Sequence, residues 1–170
     1  MNPWTAKNHT DFYLCSQPAR GGLQLHFYGG VCPAARAFLC DFAKWLRKKF
    51  EFPVRINVYI KNTLYIKARD GECVSATFFG PFDKTAEPYA KIAVGDYSLI
   101  TEEYNVFSAL CSIAASLAHE LTHYYQWLNG LNLSEKQEER QARYYSEKTV
   151  YKYLDEQGYD FLELSGISTE

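Results

Sequence analysis

Apolar residues along the chain fall into two rhythms. Phe38, Leu39, Phe42, Trp45, Leu46 and Phe50 recur at the helical period behind Pro33, a first-turn proline, and predict an amphipathic helix that ends before Pro53. Val54, Ile56, Val58 and Ile60 then alternate with Arg55, Asn57, Tyr59 and Lys61, the two-residue period of a half-buried strand. Leu64, Ile66 and Ala68 alternate more briefly, Asp70-Gly71 supplies a turn, and Cys73 to Phe79 reads as the returning strand, closed by Gly80-Pro81. A last alternation sets Ala90, Ile92 and Val94 against Tyr89, Lys91 and Ala93 ahead of Gly95.

The helical rhythm returns in Val106, Phe107, Leu110, Ile113, Ala114, Leu117, Ala118 and Leu121, and stops at Asn129-Gly130. Ser134 with Gln137 three residues later reads as a capping box, which starts a polar helix from about Glu135 to Gln157. So short a connection makes the two helices antiparallel neighbours. Residues 1–31 are irregular, broken by Pro3, Pro18, Gly21-Gly22 and Gly29-Gly30, with one short strand at Leu23–Phe27, and residues 158–170 form a C-terminal tail. A helix, a small mixed sheet of three to four strands and two further helices is an α+β order.

Composition narrows the class. A chain of 170 residues, 47% hydrophobic and 16% aromatic, is long enough to bury one core, so residues 1–170 are expected to form a single domain. The net charge is −2 with Lys and Arg scattered, which predicts no nucleic-acid partner. No run of about 18 apolar residues predicts a membrane span. The opening residues lack the apolar region of a secretory signal, so a cytoplasmic protein is expected. Cys15, Cys32, Cys40, Cys73 and Cys111 contain no Cys-x-x-Cys pair and are expected to be buried thiols in a reducing compartment.

The candidate chemistry lies in the second apolar helix, at His119-Glu120-Leu121-Thr122-His123. Histidines four apart project from one helical face a turn apart, so both imidazoles can bind one metal ion with Glu120 beside it. A catalytic zinc takes three protein ligands and keeps a position for water, whose pKa it lowers from about 16 to about 7. Glu120 would accept that water's proton and pass it to the leaving amine. The pattern therefore predicts a zinc hydrolase, with one zinc per chain. A third ligand is sought on the return helix one to two turns past Ser134, where Glu138, Glu139 and Gln141 fall.

His119-Glu120-x-x-His123 followed by Glu139-x-x-Ala142 resembles the gluzincin metallopeptidases. In length and order of elements the chain most resembles the minigluzincins, the single-domain members of that clan. The resemblance implies a zincin-like fold, zinc held by His119, His123 and Glu139, Glu120 as general base, and a peptide or protein substrate. It also implies that the strand Tyr89 to Val94 forms the upper rim of the cleft, as an edge that pairs with an extended peptide. Glu139 shares a face with the small or apolar Ala142, Ser146 and Val150, whereas Glu138 lines up with Glu135 near the helix start.

One departure stands out. Many gluzincins carry an acid four residues after the ligand Glu, bonding a zinc histidine, and this chain has Arg143 there. Were Glu135 the ligand, Glu139 would supply that acid, but Glu135 lies too near the turn. For the oxyanion, Tyr145 is placed first among Tyr124, Tyr125, Tyr144 and Tyr145, while Gln126 and Trp127 read as ordinary helix-face residues. Latency, through a terminal segment that blocks the cleft, is a further reading, set against the plainer one in which the same residues are surface or core residues. Either the first segment, offering His9, Asp11, Cys15 or His26 to the metal, or the tail with Phe161-Leu-Glu-Leu would block the cleft. A second functional reading is a catalytically silent metal-binding domain that holds a regulatory partner.

Overall fold

The computed structural model of the chain describes residues 1–8, 22–83 and 86–158. In chain order the elements are β1 (Leu23–Phe27), α1 (Pro33–Lys49), β2 (Ile56–Lys61), β3 (Ile66–Lys67), β4 (Cys73–Val74), β5 (Ala76–Phe79), β6 (Tyr89–Ala93), α2 (Tyr97–Glu103), α3 (Val106–Leu128) and α4 (Glu135–Glu156). This is the α+β order expected. The sheet runs β1-β2-β6-β5, with β1, β2 and β6 parallel and β5 antiparallel to β6. β3 and β4 form a separate antiparallel ribbon.

The alternation in β2 explains how the sheet packs. Ile56, Val58 and Ile60 are fully buried, and they join Leu23, Ala90 and Ile92 of the neighbouring strands in one core with Phe42 and Leu46 of α1 and Leu117 and Leu121 of α3. His26, Asn57, Tyr59 and Lys91 share the other face of the sheet, outside that core. Among the described residues no helix is long and apolar enough to cross a membrane.

Two features fix the pair that ends the fold. Gly130, at φ +60°, closes α3 with bonds from Gly130 N–H to the Trp127 carbonyl and from Leu131 N–H to the Gln126 carbonyl, a conformation that a residue with a Cβ adopts only under strain. Ser134 then caps α4 in the expected box, its side chain accepting from the Gln137 N–H while the Gln137 side chain accepts from the Ser134 N–H. On α4 the stripe Ala142, Ser146 and Val150 is buried, as its spacing predicted.

Three expectations are corrected. Tyr89 to Val94 is not an edge strand: β6 lies inside the sheet between β2 and β5, and the edges are β5 and β1. Alternation reports which face of a strand is buried but not which strand lies beside it, and the chain passes through the β3–β4 ribbon before laying β5 on the outside. The span Cys73–Phe79 is two strands, because at Ser75 the chain leaves β3 and takes β6 as its partner. α2 was not anticipated, since none of its residues is buried and so no apolar period marks it.

The first segment, expected to be irregular, is so over residues 1–8 but is tightly seated. Trp4 is 4% exposed, packs against the rings of Phe50 and Tyr125, and donates its indole N–H to the Thr122 hydroxyl at 2.9 Å. Asn129 holds the same segment by donating to the Pro3 carbonyl and accepting from the Asn8 N–H.

The seam between α3 and α4 yields a stability test. Ala142 is fully buried there, so Ala142→Leu is expected to cost about 1–3 kcal/mol through overpacking. Tyr144→Leu on the exposed face should stay within about 0.5 kcal/mol. Urea unfolding midpoints compare the two; equal midpoints would place Ala142 outside the seam.

Candidate metal centre

His119 and His123 lie one turn apart on α3, and the antiparallel α4 brings Glu139 opposite both. The imidazole Nε2 atoms are 3.2 Å apart. Glu139 reaches them with separate oxygens, Oε2 at 3.3 Å from His119 Nε2 and Oε1 at 3.2 Å from His123 Nε2. These three side chains are placed to bind a metal ion, each offering one ligand atom, all within 4.8 Å of one another.

Glu120 is buried beside this group, and burial, followed by the charge of Glu139, pushes its carboxyl up to about 8. His119 is shifted the other way: burial lowers its pKa, His123 adds to the shift, Glu139 opposes it, and Arg143 lowers it slightly further. The site's own residues thus set a carboxyl that resists ionisation next to an imidazole that resists protonation.

The group opens into a cleft of about 940 Å³. Its floor is the small-residue face Ser112, Ala115 and Ser116 of α3, one wall is the β5 edge, and the opposite wall is α4 with Glu139 and Arg143. A Cβ at Gly80 would overlap the Trp127 indole, whose N–H donates to the Pro81 carbonyl at 2.9 Å. The missing side chain lets the end of β5 lie directly on α3.

Other sequence-named residues are scattered. Glu138 lines the same cleft but stands outside the three-ligand group. Tyr145 turns away, its hydroxyl donating to the Met1 carbonyl at 3.4 Å, because six residues of helix carry it about 240° round from Glu139. Tyr124 and Tyr125 are structural, donating to the backbone carbonyls of Val54 and Glu51, and Tyr144 is exposed. His26 bonds Asn57 and stacks on Tyr59. Cys40 and Cys73 are exposed and Cys32 and Cys111 half-buried, against the expectation of buried thiols. His9, Asp11, Cys15 and the Phe161-Leu-Glu-Leu tail lie outside the described residues.

Sequence reasoning passed over two residues. Gln126 is buried and its side-chain oxygen lies 2.7 Å from His123 Nδ1. The available signal was its position three residues after His123, on the same helical face. Arg143, noted only as a departure, is the one Lys or Arg among the described residues that line the cleft. Comparison of the chain with protein-family models, with curated proteins and with solved structures found no match.

Two outcomes follow from this geometry. Glu139→Ala should weaken metal binding by orders of magnitude, because it removes one of three ligands, while Glu138→Ala should leave affinity nearly unchanged. Metal titration against a competing chelator distinguishes them, and the reverse order would move the third ligand by one residue. The second outcome concerns pH. In metal-free protein the folded state holds the Glu120 proton up to about pH 8, whereas the unfolded chain releases it near 4.5, so this group's contribution to stability is lost as pH rises between those values. Glu120→Gln keeps the neutral form at every pH and should gain on the parent from pH 5 to pH 8. Chelator-treated samples melted at both pH values would refute this if the gap stayed constant.

Proposed function

We propose that the chain is a zinc-dependent metallopeptidase of zincin-like, gluzincin-type architecture, with one zinc per chain held by His119, His123 and Glu139. The observation that carries the reading is the convergence of His119 Nε2, His123 Nε2 and a Glu139 carboxylate oxygen within 4.8 Å of one another, with the two imidazole nitrogens 3.2 Å apart. Ligands at zinc bond lengths of about 2.0–2.1 Å in a tetrahedron stand about 3.3–3.4 Å apart, so the two imidazole nitrogens are near that spacing and the Glu139 carboxylate, with one oxygen close to each, needs only to turn one oxygen toward both. Three such ligands also leave a fourth position open, as catalytic sites do.

When bound, the zinc polarises the scissile carbonyl and makes a water molecule acidic near neutral pH. Glu120 takes the proton as the water oxygen bonds to the carbonyl carbon, then delivers it to the amide nitrogen as the carbon–nitrogen bond breaks. The edge strand β5 is the part that would pair with an extended peptide, offering backbone groups whatever the side chains. Tyr145 is withdrawn from the oxyanion role, and Arg143 takes it here, as the cleft cation close enough to His119 to shift its pKa. The buried Glu120 at the cleft weighs against the silent partner-binding reading, which has no use for a general base there.

Glu120→Gln decides between those readings. The variant should keep its fold and its zinc and lose hydrolysis of casein or a fluorogenic peptide mixture by about 10²- to 10⁴-fold, the usual worth of a positioned general base. An equally active variant rules out this assignment of the base. A zinc-loaded parent that cleaves nothing sinks the peptidase reading and favours the silent domain.

A further inference from the structure

The buried amide of Gln126 is satisfied on all sides, and its partners form a chain. Its nitrogen donates to the Glu138 backbone carbonyl at 3.1 Å and to the Gln141 side-chain oxygen at 2.9 Å, while its oxygen faces His123 Nδ1 at 2.7 Å. The Gln141 nitrogen in turn donates to the Met1 carbonyl at 3.3 Å.

Two members of this chain have no choice of role. A backbone carbonyl only accepts, so the Glu138 carbonyl requires the Gln126 nitrogen to face it, and the Met1 carbonyl requires the same of the Gln141 nitrogen. Gln141 is thereby left presenting its oxygen to Gln126, and Gln126 presents its own oxygen to His123. An oxygen acceptor at Nδ1 requires the proton there. In the neutral ring His123 Nε2 is then bare and points at His119 and Glu139.

We propose that Gln126 is the positioning residue that locks His123 in the Nδ1–H tautomer, with the direction of the lock set by the Glu138 and Met1 carbonyls. The inference rests on the metal-site reading for its purpose but not for its geometry. The outer partner of His123 is thus supplied from its own helix, by a neutral amide. Because Gln141 bonds Met1, and Trp4 and Asn129 seat the same segment, the first residues of the chain become part of the support of the metal centre.

The test reads the tautomer directly. In metal-free full-length protein at about pH 8, above the ordinary imidazole range, long-range proton–nitrogen NMR is expected to show His123 as Nδ1–H alone, its signals assigned by their loss in His123→Asn. Gln126→Met keeps the bulk and removes the acceptor. It should let the Nε2–H form appear and weaken zinc binding by about 10- to 100-fold, the usual loss for an outer partner of a ligand histidine. Packing alone would be served equally by methionine. A folded Gln126→Met protein with the Nδ1–H tautomer and parental zinc affinity overturns the proposal, and so does a parent whose His123 is Nε2–H or mixed, a result that needs no variant. If the parent shows the Nδ1–H form and binds no zinc, the lock stands and the metallopeptidase reading falls.

Discussion

A carboxylate on α4 reaches the histidine pair on α3 only because small side chains line the seam between the two helices. Helices pack with axes about 8–10 Å apart, and the value within that range depends on the residues in contact. Ala142 and Ser146 are buried at this seam one and two turns from Glu139, and the glycine that ends α3 and the box that starts α4 determine where the return helix begins. With larger residues in the stripe, Glu139 would stand back and its 3.2–3.3 Å contacts with the two histidines would open.

The sheet serves the same centre from the other side. Three parallel strands bury one face under α1 and α3 and thereby hold α3 across the sheet, while the antiparallel β5 carries its edge to the cleft. The bare backbone at Gly80 lets Trp127 close the end of that edge against α3. The cleft therefore has a side built mostly of backbone and a side built of charged side chains, which is a division of labour suited to a long flexible ligand.

Much of this was legible in the sequence because periodicity encodes it. The helix bearing His119 and His123, the cap at Ser134, the stripe below Glu139 and the buried face of β2 all follow from spacing within one element. What stayed hidden were relations between elements. The order of strands in a sheet leaves no mark on a strand's own alternation, which is why Tyr89 to Val94 was assigned an edge that belongs to Ala76–Phe79. Tyr145 was close in sequence to the right helix turn but on the wrong side of it, and a Gln beside a histidine looks like any surface polar residue until its burial is known. Trp4 sat in a segment with no period at all, and only its burial against α3 shows that it belongs to the core.

That seat for Trp4 has a bearing on the order in which the molecule is assembled. The bond to Thr122 spans 118 positions and the contact between Met1 and Gln141 spans 140, among the longest separations the chain has to offer. Closing loops of that size is entropically slow and comes after local structure has formed. Residues 1–8 therefore take their seat only after α3 and the start of α4 have formed. The surroundings that fix the His123 ring, which draw on residues far apart in the chain, are accordingly completed late.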